Sequence, residues 1–332
     1  MKFLSRVLPF ILPILLMSCG SAESKKTATD HTTKNDLDGA PTFNADSAFS
    51  YIVAQEAFGP RVPGSPGHKA CAEYLTSFMA ENTDTVITQR GTVTAYNGDR
   101  LPIVNIMGRV KPQLKDRVLV LAHWDTRPWA DADPDEANHN RPINGANDGG
   151  SGVAVIMEIA RQLKTLDLPV GVDLLLVDAE DYGHSATFEN TTESWCLGTQ
   201  YFVDHLPYGR DALPRYGICL DMVGGRGAVF HREYMSEALA GSVVDRVWNV
   251  AARSGFGDRF INSVGGSIVD DHIFINRAGI PCIDIVEINN PETGSFPPTW
   301  HTLDDTSANI DRSSLRAAGQ TVLNTLYLDI PR

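Results

Sequence analysis

The chain has no CxxC pair, no GxSxG, no GxGxxG and no GxxxxGK[ST]. The first absence excludes a cysteine zinc knuckle and a thioredoxin-type redox pair. The others leave serine-hydrolase, dinucleotide and nucleotide readings without support. Positive charge is scarce as well: 28 Lys and Arg stand against 41 Asp and Glu, for a net −13, and no basic stripe runs through the chain. Nucleic acid, whose phosphates demand such stripes, is therefore excluded as a partner. The acidity itself needs no more than solubility as its reason. No internal repeat is visible. What is present is 332 residues at 42% hydrophobic, enough for one large domain with a real core or at most two smaller ones.

The longest apolar run near the N-terminus, Val7 to Met17, follows Lys2 and Arg6 and is too short to span a bilayer comfortably. It reads as a signal-peptide core, and Leu16-Met17-Ser18-Cys19 resembles a bacterial lipobox that would leave Cys19 to receive a lipid. The expectation is an exported chain, lipid-anchored at Cys19 and facing the periplasm. Its acidity disfavours resting on anionic lipid, so the acyl chains would carry the attachment. Residues 1–18 are thus the leader, 19–42 a flexible Ser/Thr/Lys/Asp/Gly tether, and 43–332 one folded domain. Beyond the tether, Cys71, Cys196, Cys219 and Cys282 lie in or beside apolar segments. They read as buried free thiols although an even count permits disulfides.

Strand-like and helix-like segments alternate along that domain. Helices are expected over Asn44 to Phe58, capped by Asn44, and over Ser65 to Met79, where Ser65 caps and Pro66 takes the first helical position. Further helices are expected over Ser151 to Lys164, Leu197 to His205, Ser236 to Arg253, from near Asp270, and over Asp311 to Tyr327. Strands are expected over Val86 to Tyr96 and Pro102 to Val110, paired with each other, then Val118 to Ala122, Val172 to Val177, Tyr216 to Leu220 and Pro281 to Ile288. This alternation predicts an α/β fold with a largely parallel, doubly wound sheet, whose site lies beyond the carboxyl ends of its strands.

Acids and histidines gather at those ends. His123 closes VLVLAH, Asp148 sits in NGANDGGSG, Glu180 and Asp181 follow LLLVDA, Asp221 ends GICLD, Asp270 to His272 open a helix, and His301 lies in PTWHTLDD. Carboxylate oxygen and imidazole nitrogen are the donors that zinc accepts, and an adjacent acid can shuttle protons. Taken singly, each has a plainer reading. His123 could cap a turn, Asp148 could cap the Ser151 helix, and His301 could be a surface residue. Asp178, Glu180 and Asp181 are harder to dismiss, because three acids bunched at a buried strand end repel one another without a cation. The run Asp131 to Asp135 begins like a calcium loop, but Glu136 stands at the sixth position and Pro142 at the twelfth, so it reads as a solvated loop near the site. His68, His205 and His231 read as structural or surface residues, and Trp195, Phe296 and Trp300 as pocket walls.

AHWDTRP, GANDGGSG, VDAED, CLDMVGG, VDDHIFINRAGIP and FPPTWHTLDD, in that order from Phe43 to the C-terminus, resemble the animal-type glutaminyl-peptide cyclotransferases of the zinc-dependent aminopeptidase superfamily. The resemblance implies a three-layer α/β/α sandwich with a mixed, mostly parallel central sheet, zinc-aminopeptidase-like, forming a single catalytic domain over 43–332. It implies one zinc ion on Asp148, Asp181 and His301, with His123 and Asp221 as remnants of a second-metal position. It also implies an acyltransferase acting on peptides or proteins with N-terminal Gln, in which Glu180 carries protons and Asp221 joins Asp270 in a hydrogen-bond network that orients the amide. Ring closure needs no water, so one Lewis acid suffices, whereas a peptidase clamps a water between two. Asp270 before Asp271-His272 and Trp300 beside His301 favour the cyclase. Asp181 departs from the family's glutamate, which alters fine geometry but not ligand chemistry. His123 and Asp221 keep a dinuclear aminopeptidase as the alternative, and a tethered binding module without turnover stands third.

Overall fold

The computed structural model describes residues 37–184, 192–209 and 211–329. The signal-peptide, tether and Cys19 expectations fall on residues that, for all but the last few of the tether, lie outside these. Among the described residues no helix is long and apolar enough to cross a membrane.

Two capped helices open the domain. Asn44 Oδ1 accepts from the amides of Asp46 and Ser47, both at 3.0 Å, and starts α1 (Ala45–Glu56). Ser65 Oγ accepts from His68 N at 3.1 Å, with Pro66 at the first position of α2 (Pro66–Asn82). Each satisfies amides that a helix start otherwise leaves unpaired. β1 (Thr85–Thr94) and β2 (Arg100–Val110) then form an antiparallel hairpin. β3 (Arg117–His123), β4 (Gly171–Val177), β5 (Gly217–Asp221) and β8 (Cys282–Val286) are buried along their whole length. Their mostly apolar runs, broken only by Asp173 in β4 and Asp284 in β8 before the strand ends, suit a sheet covered on both faces.

The sheet order is β1-β2-β4-β3-β5-β8, antiparallel across its first two pairings and parallel across the rest. Side-chain alternation divides the core. Val118, Val120, Ala122, Ile218 and Ile283 face α1, α2, α3 (Gly150–Leu163), α5 (Tyr234–Arg253) and α7 (Arg312–Tyr327). Leu119, Leu121, Cys219 and Cys282 face α4 (Leu197–Asp204) and α6 (Asp271–Arg277). The three-layer α/β/α sandwich is as expected, and the four described cysteines are buried free thiols. A pair that sequence periodicity misses, β6 (Phe230–Arg232) and β7 (Phe260–Val264), forms a separate two-stranded sheet. Three residues are too few for a period, and β7 is mostly exposed.

Gly152 in α3 lies so close to the sheet that a Cβ there would stand 2.2 Å from Leu220 O, which lets the helix start drop against β5. Glu287, one residue past β8, is buried; its Oε1 accepts from Asn290 Nδ2 at 2.8 Å while Oε2 has no partner among the described residues. Burial pushes its carboxyl up to about 7, against the opposing pull of Asn290 and Arg259. The folded chain therefore keeps a proton that the unfolded chain has released, and stability falls as pH rises from about 4.5 to about 7. Glu287→Gln is expected to stabilise the protein by about 1–3 kcal/mol at pH 8, with the gain fading toward pH 4. Denaturant midpoints at the two pH values check it.

Candidate metal centre and active site

β3, β4 and β5 run parallel, so their carboxyl ends deliver His123, the 178–181 turn and Asp221 to one edge. Asp148 arrives on the loop before α3. At the cap position stands Gly149 with φ +85° and no side-chain cap, so Asp148 does not cap this helix and its carboxylate is turned to the site. Asp305 fixes the loop, accepting from Asn147 N at 2.7 Å and Asp148 N at 3.0 Å. Asp125 fixes the turn after β4, accepting from Glu180 N at 3.0 Å and Asp181 N at 3.3 Å.

Asp178 stands apart from its neighbours. It accepts from Val104 N at 2.6 Å and Ala179 N at 2.8 Å and pairs with His68 Nε2 at 2.8 Å, while the His68 ring stacks on Trp124. The three bunched acids of the sequence thus resolve into one structural acid and two that reach the site. His68 is structural, as expected.

Asp148, Asp181 and His301 converge, with ligand atoms within 4.8 Å of one another. His301 Nε2 lies 3.2 Å from Asp181 Oδ1 and 3.6 Å from Asp148 Oδ2. A tetrahedral zinc with bonds of about 2.0–2.1 Å spaces its ligand atoms about 3.3 Å apart, which matches. Asp181 Oδ2 is buried with no hydrogen-bond partner among the described residues, an acceptor that a cation would satisfy. Burial alone would lower the His301 imidazole, yet Asp181 and Asp131 outweigh it and push it up to about 9. The carboxylates demand positive charge so strongly that they draw protons onto a buried histidine. The donor set fits zinc.

A second trio shares Asp148. His123 Nε2 lies 3.1 Å from Asp148 Oδ1 and 3.3 Å from Asp221 Oδ1, and these atoms too sit within 4.8 Å of one another. Beside both trios is Glu180, buried, with its carboxyl held well above the usual range by burial first and by Asp181, Asp270 and Asp271 against the pull of His123. Cys196 Sγ donates to Glu180 Oε1 at 3.4 Å, and Asp270 lies within the same cluster. Asp270 caps α6 and faces Asp284, whereas the nearest partner of Asp221 is His123. Asp284 on β8 stands beside Asp270. Asp221 and Asp270 still repel each other across the pocket.

Asp148, Glu180, Asp181, Asp221, Asp270 and His301 line one cavity of about 320 Å³, walled by Trp195, Phe296 and Trp300. Trp300 stacks on His301 at 3.7 Å between centroids and meets Phe296 at 4.6 Å. His123 joins these residues through Asp148 and Asp221, whereas His272 pairs with Glu233 at 3.2 Å and, like Asp178, does not line the cavity. Among the described residues, four of the six non-glycine residues with positive φ are His301 itself, Ala179, Cys196 and Met222. Such backbone costs about 1–3 kcal/mol per residue and persists where surroundings enforce it, as at ligand clamps.

Residues 105–326 match peptidase family M28. The chain belongs to peptidase family M28. Among solved structures it is similar to a glutaminyl cyclase of Bacteroides thetaiotaomicron bound to N-acetylhistamine, at 46% identity and TM-score 0.84, covering 88% of this chain and 100% of that one. It is also similar to a Zn-dependent exopeptidase of Parabacteroides distasonis, at 45% identity and TM-score 0.83, covering 87% and 100%. Among curated proteins it is 28% identical to aminopeptidase YwaD of Bacillus subtilis over 86% of this chain, and it spans 58% of that relative's length. The donor set and the likeness to a Zn-dependent exopeptidase both suit zinc.

Sequence reasoning passed over four residues of the site. Asp125 and Arg127 lie in AHWDTRP and Asp305 in HTLDD, all quoted as pattern without a role. Asp131 reads as part of a solvated loop, but its Oδ1 lies 3.0 Å from His301 Nδ1. An acid at the head of an acidic run, four residues after an arginine, carries no sequence signal for this role; it shows only once the chain is folded.

Proposed function

We propose that this M28 protein is a glutaminyl-peptide cyclotransferase, converting N-terminal glutamine of peptides or proteins to pyroglutamate with release of ammonia. The observation that carries the reading is the likeness, at 46% identity over 88% of this chain, to the glutaminyl cyclase of Bacteroides thetaiotaomicron. Names of relatives divide between cyclase and peptidase, so the small aromatic cavity and the acid pair Glu180 and Asp270 weigh with it.

Asp148, Asp181 and His301 are the proposed holders of one zinc ion. Zinc bound there supplies Lewis acidity to the side-chain amide oxygen of the substrate. Trp195, Phe296 and Trp300 enclose the glutamine side chain and exclude water, so that its own α-amine is the nearest nucleophile. Glu180 accepts a proton from that amine as its nitrogen bonds to the amide carbon. The bond from that carbon to the amide nitrogen then breaks, and Glu180 returns the proton, so ammonia leaves and a lactam remains. Asp270, with Asp221 across the cavity, accepts from the amide N–H groups and orients them. We further propose that the chain is exported and lipid-anchored at Cys19, on the periplasmic side, where new N-termini arise after leader cleavage.

One observation favours a second reading: the His123, Asp148 and Asp221 spacing would also suit a cation, as a dinuclear aminopeptidase requires. After zinc reconstitution, the cyclase reading expects ammonia release from a glutaminyl peptide and no hydrolysis of an aminoacyl chromogenic amide. The reverse pattern would install the peptidase, and silence in both the binding module.

A further inference from the structure

Arg127 is almost wholly buried, and each nitrogen of its guanidinium is spoken for. Nε and Nη2 donate to the two oxygens of Asp131 at 2.8 and 2.6 Å. Nη1 donates to the Asp181 backbone oxygen at 3.1 Å, to Asp181 Oδ1 at 3.3 Å and to Gly183 O at 3.3 Å. The guanidinium carbon lies 5.0 Å from the centroid of the Trp195 ring and 5.4 Å from that of Trp129. Trp195 is also seated on Gly183, where a Cβ would come within 1.9 Å of the indole. One side chain therefore touches a metal-ligand candidate directly, a second through Asp131, and a wall of the cavity.

We infer that Arg127 is a positioning residue that joins metal occupancy to the seat of Trp195. The inference rests on the ligand and pocket assignments proposed above. To offer Nε2 to a metal, the His301 imidazole must carry its proton on Nδ1, and Asp131 Oδ1 lies 3.0 Å from that nitrogen. Asp131 can hold this place only while its own charge is balanced, and the Arg127 fork does so through two parallel bonds. The third nitrogen engages Asp181 through its backbone oxygen and through Oδ1, the atom that stands 3.2 Å from His301 Nε2. Trp195, lying over the same guanidinium, is thereby fixed relative to the ligand set. A lysine would keep the charge but could not reach Asp131, Asp181 and the indole face together, because an ammonium is a point donor without the planar fork.

The test uses the full chain. The zinc dissociation constant is measured by chelator competition for the parent, Arg127→Lys and Asp131→Asn, and zinc-induced tryptophan fluorescence is compared with that of Trp195→Phe to isolate the Trp195 signal. Arg127→Lys is expected to weaken zinc by roughly 10–100-fold and to lose the Trp195-dependent fluorescence change while circular dichroism stays as in the parent. Asp131→Asn is expected to weaken zinc similarly yet keep the fluorescence change, since the contact of Arg127 with Trp195 survives. Zinc affinity within twofold of the parent in either variant, or parent fluorescence from Trp195 that ignores zinc, overturns the inference. Should Arg127→Lys fail to fold, the Asp131→Asn affinity and the parent signal still decide it. None of these readouts requires turnover, so loss of the cyclase reading through failed ammonia release would be told apart from loss of the clamp.

Discussion

Glu180→Gln is expected to lower kcat by about 10²–10⁴ while leaving the zinc content unchanged. The substitution keeps the shape of the side chain and removes only its ability to take up and return a proton. Its surroundings explain why this residue serves. Burial raises its carboxyl, as do Asp181, Asp270 and Asp271, so it releases a proton less readily than an exposed acid and can hand one to a leaving nitrogen near neutral pH. The amides of the 178–181 turn are held by Asp125, and Cys196 donates to its Oε1, so the carboxylate is aimed rather than mobile. Separation of the two measurements matters: zinc by metal analysis and turnover by ammonia release on the same preparation. Retained turnover would remove Glu180 from the proton path, and lost zinc would make it a ligand or a support of one.

Much of this was legible because the fold and the site obey short-range rules. Asn44 and Ser65 announce their helices by capping chemistry, and each caps in the structure. β3 and β4 announce a covered sheet through apolar runs, and the site acids follow from where such strands end. Other features are set by contacts remote in sequence and leave no periodic trace. Asp178 turns away because His68, 110 positions earlier, holds it. Asp131 serves His301 from the far side of the chain, and Asp284 stands beside Asp270 only because β8 pairs with β5. The left-handed backbone at His301 and Ala179 is equally silent in sequence, since neither residue is glycine or asparagine. Pattern therefore located the site edge, while the partners that support it required the packed structure.

Asp148→Ala is expected to abolish stoichiometric zinc binding. Its carboxylate is shared: Oδ2 belongs to the trio with Asp181 and His301, and Oδ1 faces His123. Structural zinc sites bind with about 10–16 kcal/mol at neutral pH, so removing one of three protein donors should cost about 4 kcal/mol, roughly 10³-fold in affinity. Stability follows by mass action, since zinc at 100 times its dissociation constant stabilises the fold by about 2.7 kcal/mol. A chelator should accordingly lower the Tm of the parent and leave that of the variant unmoved. His123→Ala supplies the contrast. With one ion on Asp148, Asp181 and His301, it keeps one zinc per chain, because His123 lies only in the trio with Asp221. A fall from two zinc ions to one in that variant would show that the second trio is loaded, and the dinuclear peptidase would displace the cyclase; zinc retained by Asp148→Ala would remove this carboxylate from the ligand set.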